Sequence, residues 1–93
     1  MVSPLRIATL PNPYRPHGAI RLHLERSSPV EVAIFSSGGR RVRNLTREHW
    51  GAGDHTVRWD GLTDGGSEAA PGVYFVRGIA SGSTIVSRTA LIR

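Results

Sequence analysis

The feature that most constrains the fold is a series of short segments in which apolar and polar residues alternate, separated by glycine, proline and aspartate. In residues 19–25, Ile20, Leu22 and Leu24 occupy every second position, and residues 30–35 repeat the pattern. A period of two places alternate side chains on one face of a β-strand. Strands that recur at such short spacing predict an all-β sandwich or barrel.

Chain length and composition set the scale of this fold. The 93 residues suffice for one domain, and we take residues 1–93 as a single unit. The chain contains no cysteine, so neither a disulfide framework nor a thiolate zinc site is available. No apolar run approaches the about 18–20 residues that a membrane-spanning helix needs. We therefore expect a core that stands without cross-links.

The segments together predict about seven strands, joined antiparallel as an immunoglobulin-like β-sandwich. Glycines in the turn at 37–39 supply the positive φ of a tight hairpin. The arginine-rich segment 40–45 reads as an edge strand, whereas the very apolar segment 73–77 reads as a central one. The predicted strands are residues 5–10, 19–25, 30–35, 40–45, 55–59, 73–77 and 84–92.

A predicted core follows from the alternation within these strands. Its members are the apolar side chains that share the inward face of each segment. They are Ile20, Leu22, Val32, Ile34, Val57, Trp59, Val73 and Phe75.

The order of several short motifs resembles a known family. Asn12-Pro13-Tyr14 precedes an alternating strand, and Phe35-Ser36-Ser37-Gly38-Gly39 is followed by Gly51-Ala52-Gly53, Val57-Arg58-Trp59-Asp60-Gly61 and Pro71-Gly72-Val73-Tyr74. Over residues 8–93 this order resembles the immunoglobulin-like domain of the flagellar hook-capping protein. It is equally similar to the C-terminal sorting domains of the type IX secretion system. The resemblance implies a seven-stranded sandwich of an exported or cell-surface bacterial protein, acting in export, surface attachment or assembly.

The loop after Trp59 is the segment that looks most like a ligand site. Asp60 and Asp64, with Glu68, offer oxygen ligands of the kind calcium prefers, but their spacing is not that of an EF-hand. Aspartate and glycine also build turns, since aspartate bonds nearby N–H groups and glycine accepts positive φ. We favour turn building and expect thermal stability to be independent of calcium. The predicted turn residues are Asp60, Gly61, Asp64, Gly65 and Gly72.

The sequence offers no pattern for catalysis. The serines before Gly38-Gly39 lie in a predicted hairpin rather than on a nucleophile elbow. The four histidines lack the paired spacing of a zinc helix. We predict no enzymatic activity, no cofactor and no metal.

Interaction residues are predicted from exposed aromatic and basic side chains. Trp50 either caps the sandwich or anchors a partner, and Tyr14 presents the same choice. The cluster Arg40, Arg41 and Arg43 carries part of a net charge of +5, in which every one of the 12 basic residues is arginine. The arginines are spread along the chain without interleaved aromatics, which disfavours nucleic acid. Protein partners and anionic surface polysaccharide remain, and a carbohydrate-binding module is a further alternative.

Self-assembly through the first strand is another hypothesis. Residues 1–10 are separated from the rest by Pro11-Asn12-Pro13, so this strand can pair in its own domain or exchange with a neighbour. In the second case residues 1–10 and 84–93 would form the contact surface of an extracellular filament or sheath.

Overall fold

A computed structural model describes residues 3–93. Seven strands form two antiparallel sheets, which confirms the predicted immunoglobulin-like sandwich. One sheet has the order β1-β2-β5 and the other β4-β3-β6-β7; we call them the three-stranded and the four-stranded sheet. Within residues 3–93, no helix is long and apolar enough to cross a membrane. The strands are β1 (Leu5–Thr9), β2 (Gly18–Leu24), β3 (Ser28–Ser36), β4 (Arg41–Trp50), β5 (Gly53–Trp59), β6 (Gly72–Ala80) and β7 (Ser83–Leu91).

Two tight turns set the register of the four-stranded sheet. Gly39, with φ of 88°, closes the β3–β4 turn, where its N–H donates to the Ser36 carbonyl at 2.9 Å. Ser81 and Gly82 both have positive φ, at 49° and 77°, in the two-residue loop between β6 and β7. Positive φ at both loop positions matches the right-handed twist of the flanking strands.

The core lies between the sheets, with an aromatic cluster at one end. The Trp59 side chain is completely buried, and its ring centroid lies 5.7 Å from that of Tyr14 and 5.1 Å from that of Tyr74. The predicted core residues Ile20, Leu22, Val32 and Ile34 are also buried, and Val57 packs partly buried against them. Aliphatic residues of β2 and β3 thus interlock across the sandwich with the aromatic cluster.

The predicted placement of Val73 and Phe75 in the core is wrong. Val73 is 43% exposed and Phe75 only partly buried, whereas Tyr74 and Val76 point inward. Pairing with β3 decides the face, because the buried Ile34 lies opposite Val76. The local sequence is apolar on both faces, so its pattern cannot distinguish them.

Strand β4 is longer than predicted and lies at a sheet edge, as expected. It runs from Arg41 to Trp50, five residues beyond the predicted end at residue 45. Its pairing with β3 is irregular at two places, between Val32 and Ala33 and between Ile34 and Phe35. Such irregularities twist an edge strand away from regular pairing. Strand β6 is central, between β3 and β7.

The N-terminal segment crosses from one sheet to the other. Strand β1 pairs with β2 of the same chain, with Leu5 opposite Leu24. After a cis peptide bond between Asn12 and Pro13, Tyr14 forms a parallel bridge with Leu91 of β7. The first strand is therefore paired within its own domain over the described residues, while Met1 and Val2 of the hypothesised contact segment lie outside them.

Candidate interaction surface

Tyr14 is an interior residue and not a surface anchor. Its side chain has 0% exposure, and its hydroxyl accepts the Trp59 N–H at 2.8 Å and donates to the Gly18 carbonyl at 2.6 Å. Burial raises the pKa of Tyr14 above 10.0, and the backbone hydrogen bond from Trp59 opposes this rise. The hypothesis of an exposed anchor is wrong here, because the hydroxyl is used to join β5 to the loop before β2.

Trp50 is likewise buried, at 6% exposure. Its ring is stacked on His55 at a centroid distance of 4.2 Å, and its indole N–H donates to Glu48 Oε1 at 3.2 Å. It thus caps one end of the sandwich, as the first of the two alternatives predicted, and the alternative of an exposed partner anchor is wrong. Because Trp50 and Tyr14 are both buried, they cannot form an exposed aromatic surface that binds carbohydrate.

The loop from residue 60 to 72 uses its carboxylates within the chain. Asp60 Oδ1 accepts the Leu62 N–H at 3.0 Å, and Asp64 Oδ1 accepts the Asn44 N–H at 2.9 Å. Among residues 3–93, no group of three histidine, cysteine or acidic residues is placed to hold a metal ion. Gly61 and Gly72 have φ of 78° and 148°, and Gly65 lies in the same turn region. These contacts describe a folded turn that is tied to β4.

The predicted arginine cluster is mostly engaged with this loop. Arg41 Nε lies 3.3 Å from Asp64 Oδ2, and Arg43 Nη2 lies 3.4 Å from Asp60 Oδ2. Arg40 is exposed beside them. Two of the three positive charges are therefore paired, so the cluster is a weak candidate for a surface that binds anions.

The outer face of the four-stranded sheet, which faces away from the core, is the strongest candidate surface. It combines aromatic and aliphatic side chains with arginines. Both phenylalanines of the chain lie on it, although no phenylalanine is in the core. On β3, β6 and β7 its residues are Glu31, Ala33, Phe35, Val73, Phe75, Arg77, Ile79, Thr84, Val86, Arg88 and Ala90. On β4, Arg41 and Arg47 lie opposite Phe35 and Glu31.

The centre of this outer face is a stacked aromatic and cationic group. Phe35 lies directly opposite Phe75 in the β3–β6 pairing, and the Arg77 guanidinium carbon is 4.2 Å from the centroid of the Phe35 ring. Arg77 Nε is buried and has no hydrogen-bond partner among the described residues. Val86, opposite Arg77 on β7, is 57% exposed. A shallow groove of about 250 Å³ is formed here.

The outer face of the three-stranded sheet is different in character. It carries polar and charged side chains, among them Arg21, His23, Asp54 and Thr56. His23 Nδ1 lies 2.7 Å from Asp54 Oδ1, and this hydrogen bond to His23 lowers the pKa of the Asp54 carboxyl. An antiparallel sheet that faces water normally alternates apolar inside and polar outside. The three-stranded sheet follows this rule, and the four-stranded sheet departs from it.

This sandwich, with one polar and one apolar outer face, is of the immunoglobulin-like class. The sequence profile of the FlgD Ig-like domain matches residues 16–82, which is most of the chain. The chain therefore belongs to the FlgD Ig-like domain family, and the resemblance drawn from its motifs is confirmed. No curated protein sequence matches the chain.

Two solved structures are similar. One is PorZ of Porphyromonas gingivalis, described as an essential bacterial surface component of the type IX secretion system, with 25% identity and a TM-score of 0.56. The match covers 96% of this chain and 11% of PorZ. The other is the alkylpurine DNA glycosylase AlkC of Pseudomonas fluorescens, with 18% identity and a TM-score of 0.50. It covers 98% of this chain and 31% of AlkC, and it shows the fold alone.

Proposed function

We propose that this chain is a non-enzymatic module of an exported or cell-surface bacterial protein and that it binds a protein partner through the outer face of its four-stranded sheet. The observation that carries the proposal is the apolar character of that face. Phe35 and Phe75 adjoin Val73 and Val86, the two most exposed large apolar side chains among residues 3–93.

An apolar face of this kind is costly to leave in contact with water. Each Å² of apolar surface removed from water is worth about 25 cal/mol, and contiguous apolar patches on soluble domains mark interaction sites. Aromatic residues and arginine are also the types that contribute most at protein interfaces. The face thus has the composition of a binding surface and contributes little to the core.

The family supports the location and the modular role. PorZ, the similar structure with the higher identity, is a bacterial surface component, and this chain spans about a tenth of its length. A domain that recurs within a much larger protein works through contacts to its neighbours. Export, attachment and assembly are the roles that such contacts can serve.

Self-assembly into a filament receives less support than a distinct partner. Each copy carries a net charge of +5, so copies repel one another, most strongly at low salt. The first strand, which the filament hypothesis exchanges between copies, is paired with β2 of its own chain.

Native complexes in extracts of the producing cells test the proposal. We expect the tagged wild-type protein to elute above the mass of a single chain and the Phe75→Thr variant to elute as a single chain. Threonine keeps a high β-propensity, so the strand is preserved. Arg21→Thr, on the opposite outer face, is the matched control and should elute as wild type. Equal elution of all three proteins would contradict the proposal.

A further inference from the structure

The four free edges of the sandwich differ in how they are protected against pairing with another strand. Strand β4 has two irregularities and several arginines, and β1 is irregular between Ile7 and Thr9. Strand β5 carries Asp54 and Arg58. Residues 83–87 of β7 contain no charge and no proline, and the β6–β7 pairing has no irregularity. Charge, proline and bulges are the devices that block pairing at an edge, and this part of β7 lacks all three.

The backbone groups that β7 presents outward can be identified. Ala90 is bonded from outside the sheet, since its N–H donates to Asn12 Oδ1 at 3.3 Å and its carbonyl accepts the Tyr14 N–H at 2.8 Å. In a strand the N–H and C=O groups of alternate residues point to the same side. Thr84, Val86 and Arg88 therefore direct their N–H and C=O groups to the free edge.

Half of this edge is already covered by the chain itself. Tyr14 lies parallel to β7, and its carbonyl accepts the Ile92 N–H at 2.9 Å. The cover reaches back to Pro11, whose carbonyl accepts the Thr89 hydroxyl at 2.6 Å. The segment before it then turns away into the three-stranded sheet. The C-terminal end of β7 is thus already paired with residues 11–14. The outward backbone N–H and C=O groups of residues 84–88 are left available for pairing.

We propose that residues 84–88 of β7 bind an extended segment of the partner as a fifth strand of the four-stranded sheet. This inference rests on the proposed function, because the added strand lies beside the apolar outer face. Backbone hydrogen bonds to the edge would give affinity, and side chains on alternate positions would give specificity.

The chemistry of the partner segment follows from the neighbouring side chains. Val86, 57% exposed, would contact an apolar side chain on the outer side of the added strand. Arg88 is exposed and forms no ion pair with any described residue. A carboxylate on the added strand would give this guanidinium a charged partner. The occupant is therefore an acidic segment with alternating apolar residues, and the net charge of +5 disfavours a second copy.

A library of linear peptides of about twelve residues, displayed on phage and selected on the immobilised chain, tests this inference. The selected peptides should alternate apolar and polar residues and contain Asp or Glu. On the wild-type chain, their binding should slow hydrogen exchange of the Thr84, Val86 and Arg88 amides by about tenfold or more. A tenfold change corresponds to about 1.4 kcal/mol.

Two variants at position 86 distinguish the contribution of the backbone hydrogen bond to peptide binding from that of the side chain. Val86→Pro removes the outward N–H while leaving the pairs with β6, and should weaken peptide binding by about tenfold or more. Val86→Thr keeps the N–H and should weaken it by less than about threefold. Failure to select peptides, exchange protection elsewhere, or full binding by a folded Val86→Pro variant would each overturn strand addition. None of these results would affect the Phe75→Thr elution test, so failure of strand addition and failure of the proposed function are distinguishable.

Discussion

Replacing Trp59 by alanine is expected to lower the free energy of unfolding by about 3–5 kcal/mol. The Trp59 side chain is completely buried, contacts the rings of Tyr14 and Tyr74, and donates its indole N–H to the Leu62 carbonyl at 2.9 Å. Removing it leaves a cavity where the sheets meet the loop after β5. A domain of this size has a total stability of roughly 5–14 kcal/mol, so this variant would lose a large part of it.

Urea denaturation followed by circular dichroism measures the effect of Trp59→Ala. The control is Val86→Ala on the exposed outer face, which should change the free energy of unfolding by no more than about 0.5 kcal/mol. An unchanged denaturation midpoint in Trp59→Ala would show that this end of the sandwich does not depend on its aromatic cluster.

Replacing Tyr14 by phenylalanine is expected to cost about 1–3 kcal/mol, although only one oxygen is removed. The Trp59 N–H donates to that oxygen at 2.8 Å and would be left buried without a partner. Tyr74→Phe is the matched control. Its hydroxyl donates only to the Ala70 carbonyl, at 2.5 Å, and its loss should cost about 0.5–1.5 kcal/mol.

The pH dependence gives a second measurement on Tyr14. Burial raises the pKa of Tyr14 above 10.0, so the folded state holds this proton more tightly than the unfolded chain does. The resulting stabilisation is complete below pH 10 and is lost as the pH rises through the folded-state pKa. Wild type should therefore lose stability above pH 10 more steeply than Tyr14→Phe. Parallel pH profiles, together with equal stability of Tyr14→Phe and Tyr74→Phe, would contradict the role given to this hydroxyl.

The sequence predicted the buried face of a strand correctly where apolar and polar residues alternate clearly. It predicted the wrong face where both faces are apolar. In β2 and in residues 30–34 of β3 the large apolar side chains lie on one face, so Ile20 and Val32 could be placed correctly. In β6, the run Val73-Tyr74-Phe75-Val76 is apolar on both faces, and the face is decided by pairing with β3. Local pattern cannot report such a long-range choice.

The candidate surface was missed for the same reason. Phe75 was assigned to the core, so it was not considered as part of an exposed apolar surface. Tyr14 was considered as an anchor because it follows a proline-rich turn, and the sequence does not show that this turn returns to β7. One signal was present in the sequence: residues 83–87, which include Val86, carry no charge and no proline.

Photo-crosslinking in the producing cells tests the central claim most directly. A benzophenone amino acid is placed at position 75 on the apolar outer face or at position 21 on the polar one, and crosslinked products are identified by mass spectrometry. We expect a defined protein adduct from position 75 and none from position 21. Adducts from position 21 alone, or the same adducts from both positions, would show that the outer face of the four-stranded sheet is not the binding surface.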